Sequence, residues 1–454
     1  MTPRAPEAPP WRALLAVLAL AALAYANSFA GVPQYDDYNV IVDDPTVQSL
    51  AAWRQSMPGI RPLLKLSYAL SNSWGGLAGF HALNLLLHGL NAALVLLLLR
   101  RLLPGASAAA LAGALLFALH PVNTEAVTML SGRSVSLMSL FFLASVLAHL
   151  GGRTLLSLLA FAAAVVTRET ALALPAVLTL LCFWQLREDP AMPVGRALHG
   201  AIAATRWHWL LALLALGSVL ALPRYRELLA FSFGIRTPLE NLLSQGGGVL
   251  YLLGQLLRPW ALNADPALPV FVGWNARWVL VAAVWGLLLA AVVAGLRARR
   301  WSAFALCWLI LVLAPGHSVI PRLDIASERQ LYLAAVPLYG LAGIAWCRLQ
   351  ARAPRQAVLL GCVLLAALGA LTWQRNTVYH SETAFWSDVV AKGPAQARAW
   401  NNLGYALEHE GRGDPRAALH AYDRAIALDP ADYTPRFNRL ALCGRVPEVC
   451  NTGD

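Results

Sequence analysis

Charged residues are scarce in this sequence of 454 residues. Asp, Glu, Lys and Arg make up 13% of it, whereas an ordinary soluble domain carries about 25%. Hydrophobic residues make up 58%. This balance excludes an ordinary soluble enzyme and predicts an all-α fold, that of a polytopic helical membrane protein.

Lysine is nearly absent as well, because Lys65 and Lys392 are the only two. The formal net charge of +11 therefore comes from arginine. The arginines recur at the ends of apolar runs rather than in one patch. This distribution is typical of anchors for membrane helices, so we predict no nucleic-acid partner.

Motifs for nucleotides and common metal sites are also missing. The sequence contains no Walker loop, no Gly-rich dinucleotide signature, no CxxC and no HExxH. A reaction driven by ATP or by a nucleotide sugar therefore has no visible site. The sequence identifies no specific cofactor. Asp36 and Asp37 are the only candidate ligands for a divalent metal.

Apolar runs that cross, or nearly cross, the roughly 30 Å hydrocarbon core follow one another along the chain. The sequence predicts about 11 spans, near residues 12–30, 82–102, 106–120, 133–150, 154–168, 170–187, 207–223, 277–296, 301–315, 330–348 and 356–373. The apolar segment 246–262 is interpreted as re-entrant or interfacial, because a full crossing would move the arginine cluster 297–300 to the other side. If segment 246–262 crossed the membrane, the predicted number of spans would be wrong by an even number.

Arginine orients these spans. The basic residues that fall on one side are Arg4, Arg12, Arg100, Arg101, Arg153, those of 187–206 and 297–300, Arg348, Arg352 and Arg355. The positive-inside rule makes this side cytoplasmic, with the N-terminus inside and the C-terminus outside. The first run ends in AYA, which also fits a signal-peptide cleavage site, and both alternatives leave the next loop on the outer face.

Carboxylates collect on that outer face. Apart from Glu7, Glu188 and Asp189, all acidic residues fall in the predicted outer loops or in the C-terminal segment. A pore more often carries ionisable groups within its spans. The asymmetry therefore favours a site at the membrane surface.

Two adjacent acids, Asp36 and Asp37, lie in the sequence QYDDYN just after the first span. Consecutive side chains diverge by about 100° on a helix and alternate on a strand, so we expect different roles for them. One would act as a general base on an acceptor hydroxyl or amide, and the other would hold a metal, a basic residue or the loop itself. The alternative is a capped turn, which we favour for the Asp-Asp-Pro at 43–45.

The sequence changes character after about residue 374. Residues at close to tetratricopeptide spacing are Trp400, Leu403, Gly404, Ala418, Tyr422, Ala425 and Pro430. Because one repeat does not stack alone, we expect it to lean on the helix near 380–391, the membrane domain or a partner. Cys443 and Cys450 are the only cysteine pair in this segment, and an oxidising outer face predicts a disulfide between them.

Several strings together resemble a known family. They are the Tyr-Asp-Asp loop, RPLLKLSYAL, FHALNLLLHGLNAALVLLLL, LFALHPVNTEAVTMLSGRS, RETALALP, SERQLYLAAVPL and the tetratricopeptide segment. Across nearly the whole chain they look like bacterial relatives of the transmembrane and tetratricopeptide repeat O-mannosyltransferases, within the GT-C glycosyltransferase superfamily. The strings HPVNTEAV and SERQLYL are the specific ones. Animal members carry long repeat arrays and this chain about one repeat, which leaves the acceptor type open.

The resemblance implies an integral membrane glycosyltransferase. It would move a mannose-like hexose from a polyprenyl-phosphate donor to a protein hydroxyl. The reaction would take place on the extracytoplasmic face of the bacterial inner membrane, whose lipids would surround the protein. It implies a membrane domain at 1–373, with an outer catalytic loop at about 31–80, and an extracytoplasmic helical segment at 374–454. The alternatives are transfer to a lipid or glycan, and a non-enzymatic scaffold for envelope polysaccharide assembly.

The resemblance also implies site residues. Asp36 and Asp37 are the catalytic candidates. The candidates for binding donor phosphate or acceptor are His120, Glu125, Arg133, Arg168, Glu169, Glu328, Arg329 and Tyr332, to which we add the outer-face Arg61. Arg329 and Arg133 rank first, because a guanidinium can hold phosphoryl oxygens in a bidentate manner.

Each binding candidate has a structural alternative. A single arginine can equally anchor the chain at the membrane interface or pair with Glu125, Glu169 or Glu328. His120 can simply form a hydrogen bond at a helix end. The polar stripe of His81, Asn84, His88 and Asn91 is predicted to hold spans together rather than to bind a metal.

Overall fold

The protein is described by a computed structural model over residues 11–411 and 413–450. The structure is 79% helical, and the described residues contain no β-strand. The prediction of an all-α fold is therefore confirmed. Arg4 and Glu7, which entered the predicted orientation, lie outside the described residues.

Six helices in the described part are long and apolar enough to cross a membrane. They are Trp11–Ala30, Gly76–Leu102, Leu130–Leu150, Glu169–Leu186, Ala276–Arg297 and Pro354–His380. Their side chains are dominated by Ala and Leu, which favour the helix and the hydrocarbon phase together. The chain is thus a multi-pass membrane protein.

Three further candidates are pairs of helices with a bend between them. They are Ser107–Leu119 with Pro121–Val127 (51°), Val194–Ala204 with Arg206–Ala221 (59°) and Glu328–Ala334 with Val336–Arg352 (65°). The first bend falls at His120, whose backbone is extended because the following Pro121 disfavours the helical region. Two shorter apolar helices are Thr154–Thr167 and Trp301–Leu313. Each predicted span overlaps one of these elements, and the exact number of crossings stays a prediction.

The remaining helices lie between these elements or follow them. Those before the last long helix are Leu50–Gln55, Pro62–Trp74, Pro223–Ile235 and Pro238–Leu257. The predicted re-entrant segment 246–262 overlaps Pro238–Leu257. Helices that follow the last long helix are Glu382–Lys392, Ala397–His409, Pro415–Leu428, Thr434–Arg445 and Pro447–Cys450.

The C-terminal helices pack on one another and on the rest of the chain. Glu382–Lys392 packs on Ala397–His409, which packs on Pro415–Leu428. Gly404 permits the last contact, since a Cβ there would lie 2.6 Å from the Tyr422 ring. Cys443 and Cys450 form a disulfide that joins the last two helices.

The polar stripe of Gly76–Leu102 is buried and contacts neighbouring helices. The pairs are His81 Nε2 with the Gly31 carbonyl (3.0 Å), Asn84 with the Val127 carbonyl (3.1 Å), His88 Nδ1 with the Tyr332 hydroxyl (2.9 Å) and Asn91 with the Ser136 carbonyl (2.8 Å). Buried polar groups of this kind hold helices in register where the hydrophobic effect between them is weak. These contacts position the segments that form the site.

Candidate functional site

The loop after the first helix enters the site through a strained residue. Tyr35 has φ +45°, in the left-handed region that a bulky side chain rarely adopts. Its ring packs edge-on against Trp386 (5.6 Å between centroids) and lies under the Arg398 guanidinium (5.5 Å). Two contacts from the C-terminal helices therefore hold the residue that immediately precedes the paired acids.

Asp37 is fully buried and caps the loop. Its carboxylate accepts hydrogen bonds from the backbone N–H groups of Gln34 (3.0 Å), Ser131 (2.7 Å) and Leu130 (3.3 Å). Burial raises the pKa of Asp37 to about 6, and these hydrogen bonds oppose the rise. Asp37 thus joins its loop to the turn at 130–132 and is not turned toward a ligand.

That turn depends on Gly132. A Cβ there would lie 2.2 Å from the Glu125 carbonyl oxygen, so only glycine permits the two backbones to approach. Asp37 and Glu125 are thereby held on either side of one compact turn.

Asp36 has a different environment. Its side chain is 36% exposed, and it accepts a hydrogen bond of 2.6 Å from Arg329. Arg329 also contacts Glu125 through its side chain (3.2 Å) and its backbone N–H (2.9 Å), and Ser327 donates to the same carboxylate (2.6 Å). Asp36, Arg329 and Glu125 form an acid–arginine–acid triad from three distant parts of the chain.

The triad borders a cavity of about 400 Å³. Its charged lining is mainly basic and consists of Arg61, Lys65, Arg168, Arg224, Arg322, Arg329, Asp36 and Asp44. Four of the basic groups are neutralised by ion pairs: Arg61 with Glu169 (2.7 Å), Lys65 with Asp44 (3.0 Å), Arg224 with Glu227 (2.9 Å) and Arg329 with the triad acids. We call this space the cationic cavity.

Arg168 and Arg322 are the exceptions. Within residues 11–411 and 413–450 neither has a carboxylate partner, and the Arg168 side chain donates only to the Ser134 hydroxyl (2.6 Å). Burial lowers the pKa of Arg322, and the guanidinium groups of Arg329 and Arg61 lower it further. Two guanidinium groups that form no ion pair and lie in one partly closed cavity have a geometry that suits a multivalent oxyanion such as phosphate.

Arg133, which ranked first with Arg329 in the sequence, is surrounded by protein groups. It is fully buried, and protein groups accept its hydrogen bonds: the Asn84 side chain, the Ser67 and Phe80 carbonyls and the Ser71 hydroxyl. Its guanidinium lies over the rings of Tyr68 and Phe80. Arg133 is therefore used to join helices and is not among the residues that line the cationic cavity.

Five further binding candidates also lie outside that lining: Glu125 and Glu169, which pair with arginines that do line it, and His120, Tyr332 and Glu328. His120 contacts the Leu256 carbonyl (3.2 Å), and Tyr332 contacts His88. Glu328 pairs with Arg375 (3.5 Å), which also binds Asp388 (2.5 Å) in the helix Glu382–Lys392. Glu328 thus connects the SERQLY turn to the C-terminal helices through Arg375, whereas its neighbour Arg329 lines the cationic cavity.

Glu169 and Arg61 pair with each other at the cavity wall. Arg61 donates two hydrogen bonds to Glu169 of 3.0 and 2.7 Å, and the Tyr225 hydroxyl donates a third (2.5 Å). Arg61 also has a positive φ of +50° directly before Pro62. The pair therefore holds a second strained backbone position at the site.

The paired acids do not converge on a position for a metal ion. The Asp37 carboxylate is used by backbone N–H groups and that of Asp36 by Arg329. In the part of the chain that the structure describes, no group of three or more His, Cys, Asp or Glu side chains could hold a metal.

An apolar groove lies beside the cationic cavity. It has a volume of about 510 Å³ and runs between the helices Pro238–Leu257, Ala276–Arg297 and Trp301–Leu313. A narrow cavity of about 40 Å³ shares Leu313 and His317 with the groove, and Arg168 and Arg322 with the cationic cavity. An apolar path and the unpaired guanidinium groups are therefore neighbours.

Sequence reasoning overlooked four charged residues of the cavity lining: Arg322, Arg224, Lys65 and Asp44. Arg322 lies in the predicted outer loop that leads to SERQLY. Its position was therefore a reason to include it among the outer-face arginine candidates. The sequence also gave a reason to consider Lys65, because it is one of only two lysines in this chain. Asp44 was interpreted as a turn residue, and it does accept from Thr46 (2.9 Å) while also pairing with Lys65.

Fold and site together define a multi-pass membrane protein with a mainly basic cavity beside an acid–arginine triad. Protein O-mannosyl-transferase TMTC4 of Mus musculus is 27% identical over 91% of this chain and 66% of its own length. TMTC3 of Mus musculus is 23% identical over 93% of this chain and 52% of its own length. Tmtc1 of Drosophila melanogaster is 36% identical over 30% of this chain.

The chain is therefore a relative of the transmembrane and tetratricopeptide repeat O-mannosyltransferases. It spans between half and two thirds of the length of the two mouse proteins. No family model and no solved structure matches it.

Proposed function

We propose that this protein is a membrane glycosyltransferase that moves a mannose-like hexose from a polyprenyl-phosphate donor to a protein hydroxyl on the extracytoplasmic face. In this proposal residues 1–373 form the GT-C-like domain, and 374–454 form an extracytoplasmic tetratricopeptide-type segment. The membrane would be the bacterial inner membrane, with the N-terminus in the cytoplasm and the C-terminus in the periplasm. The names of the relatives support sugar transfer to protein.

The observation that carries the proposal is that Arg168 and Arg322, which form no ion pair within residues 11–411 and 413–450, lie next to an apolar groove. A polyprenyl phosphate has one apolar chain and one anionic head. The groove between helices fits the chain, and the two guanidinium groups fit the phosphoryl oxygens. A nucleotide sugar offers no group for the apolar groove.

Asp36 has the position of a general base. Its carboxylate takes the proton of the acceptor hydroxyl as that oxygen attacks C1 of the sugar. The bond between C1 and the phosphate oxygen breaks, and its electron pair stays on the leaving phosphate. Arg168 and Arg322 neutralise the charge that develops there. One displacement of this kind inverts the configuration at C1, as the superfamily resemblance implies.

Arg329 orients that base. It is itself held by Glu125, so that the Asp36 carboxylate is fixed at the cavity edge.

Donor turnover tests the function. The purified protein would be incubated in detergent with radiolabelled polyprenyl-phosphate mannose or polyprenyl-phosphate glucose, with and without chelator, and with an unfolded Ser- and Thr-rich polypeptide. We expect release of mannose from the lipid and its appearance on the polypeptide. Absence of release with both donors would instead favour a non-enzymatic scaffold, and sugar found only on lipid or glycan would reject the protein acceptor.

The apolar groove gives a prediction on chain length. Gly286 lines the groove, and a Cβ there meets nothing within 4 Å. Gly286→Leu should therefore fill the groove without clashing and raise the KM for a long-chain donor about tenfold. A donor with a short isoprenoid chain should be affected much less.

The matched control is Gly217→Leu, because a Cβ at Gly217 also meets nothing within 4 Å and this residue lies in another helix, Arg206–Ala221. If Gly286→Leu and Gly217→Leu had equal KM values for the long-chain donor and also for the short-chain donor, the lipid chain of the donor would bind outside this groove.

A further inference from the structure

The two partners of the Asp36–Arg329 ion pair lie in different parts of the chain but share one feature. Each directly follows a residue that is held by the C-terminal helices or by a side chain fixed to them. Tyr35 precedes Asp36, and Glu328 precedes Arg329. Because the φ and ψ of one residue set the direction of the next, the contacts of Tyr35 and Glu328 act on the alignment of the ion pair.

The backbone of the acidic loop is fixed just before Tyr35. The Val32 N–H donates to the Tyr379 carbonyl (3.0 Å), and the Gln34 side chain donates to the same oxygen (3.4 Å). Tyr379 lies directly ahead of the helix Glu382–Lys392. Residues 32–34 are thus attached to the start of the C-terminal helices.

Arg398 connects three parts of the chain at Tyr35. Its guanidinium donates to Asp265 (2.6 Å) and Asp324 (2.9 Å) and lies over the Tyr35 ring, 5.5 Å from its centroid. The Trp386 ring packs edge-on against the same ring at 5.6 Å. A cation over an aromatic face and an edge-on ring pair are both attractive contacts. Tyr35 is therefore held by two residues of the C-terminal helices.

These contacts hold Tyr35 in a conformation that it would otherwise leave. Its φ of +45° is unfavourable for a residue with a Cβ, and such a backbone persists only where its surroundings fix it. Without the ring contacts Tyr35 returns to a negative φ. This change turns the following peptide and moves the Asp36 carboxylate away from Arg329.

Arg329 is held from its own side in a similar way. Glu328 is buried and pairs with Arg375 (3.5 Å). Arg375 in turn binds Asp388 (2.5 Å), which lies in the helix Glu382–Lys392. The C-terminal helices thus reach the residue before each partner of the ion pair.

The residues that make these contacts lie away from the donor site. Trp386, Asp388 and Arg398 are absent from the lining of the cationic cavity and from that of the apolar groove. They therefore do not contact a donor bound there. Their effect on transfer has to pass through Tyr35 and Glu328.

We propose that Arg398 and Trp386 are positioning residues of the active site: by holding the Tyr35 ring, they place the Asp36 carboxylate against Arg329. The inference deepens the proposed function and rests on it, because Asp36 is the proton acceptor there. Arg398 then acts on the rate of transfer and not on the binding of donor or acceptor. The C-terminal helices are needed for the reaction whichever acceptor is used.

Hydrogen exchange tests the positioning without turnover. In the full-length protein in detergent, Arg398→Gln should make the amides of residues 32–37 exchange about tenfold faster, because the loop opens more often. Arg398→Lys keeps a cation over the ring and should stay within about threefold of the wild type.

The matched control is Arg439→Gln. The Arg439 side chain is as exposed as that of Arg398 (37% against 39%), and it also pairs with an aspartate, Asp423 (2.6 Å), within the C-terminal helices. This pair does not contact the acidic loop. Arg439→Gln should therefore leave the exchange of residues 32–37 unchanged.

Kinetics test the effect on the base. Arg398→Gln should lower kcat about tenfold or more, with the KM values for polyprenyl-phosphate mannose and for the acceptor polypeptide within about twofold of the wild type. Arg398→Lys should restore most of kcat. In an Asp36→Asn background, Arg398→Gln should lower transfer no further, because it acts through Asp36.

Exchange of residues 32–37 at the wild-type rate in Arg398→Gln would overturn the positioning, and so would faster exchange with an unchanged kcat. A raised KM for the polypeptide at unchanged kcat would instead make Arg398 an acceptor-binding residue. Faster exchange in a protein that turns over no donor would keep the contact with Tyr35 and reject the transferase on which the inference rests. If Arg398→Gln does not fold, Tyr35→Ala removes the ring from the other side of the contact and should give the same two changes.

Discussion

Asp36→Asn should lower sugar transfer about 1,000-fold while leaving the protein folded. The amide cannot accept the proton of the acceptor hydroxyl, and loss of a general base typically costs on the order of 100-fold to 10,000-fold in rate. The side chain is 36% exposed and similar in size to Asn, so packing is preserved. The measurement is single-turnover release of mannose from a polyprenyl-phosphate donor, with thermal unfolding in detergent as the check on folding.

The control for this loss is Asp43→Asn. Asp43 belongs to the same loop and is exposed, but it is absent from the cavity lining. It should retain transfer within a factor of about two, since exposed surface substitutions are usually small in effect. Wild-type transfer by Asp36→Asn would remove Asp36 from the chemistry, and an equal loss in both variants would point to the loop as a whole.

Asp37→Ala should unfold the loop rather than only slow the reaction. It leaves the three buried backbone N–H groups of Gln34, Leu130 and Ser131 without an acceptor. Each such group costs about 1 to 3 kcal/mol, so the expected destabilisation is about 3 kcal/mol or more. The readouts are the midpoint of thermal unfolding in detergent and the yield of monodisperse protein.

Asp37→Asn separates the roles of the two acids. Its amide oxygen can still accept part of these hydrogen bonds, so we expect partial recovery of stability, and recovery of transfer in proportion to the folded fraction. A folded Asp37→Asn protein with no transfer would contradict a purely structural role for Asp37. Asp43→Ala, in the exposed part of the loop, should leave the unfolding midpoint unchanged.

Much of the architecture could be predicted because the signals are local. Hydropathy and Ala/Leu content over about 20 residues indicate a span regardless of what surrounds it. Each predicted span overlaps an apolar helix for that reason, although His120 and the SERQLY turn introduce bends. The expectation that adjacent acids diverge was local as well, and the structure separates Asp36 from Asp37.

The ranking of the arginines could not be predicted in the same way. Arg133 and Arg168 both lie at the ends of predicted spans, in the short polar strings SGRS and TRET. Only the fold shows that the Arg133 guanidinium is used by Asn84 and Ser71, whereas Arg168 lacks a carboxylate. Arg322 was missed for the same reason, because a missing partner is not visible in a sequence.

The sequence by itself therefore indicated the helical membrane fold, the motifs that contain the candidate site residues and the similarity to the O-mannosyltransferases. It could do so because composition and short motifs are local properties. The tertiary structure decided which acid faces a cavity and which of the arginines that line it form no ion pair. Asp36 and Arg329 are 293 positions apart in the chain yet 2.6 Å apart in space. Coulomb interactions and hydrogen bonds act over a few ångströms, so their partners are chosen only when helices pack together.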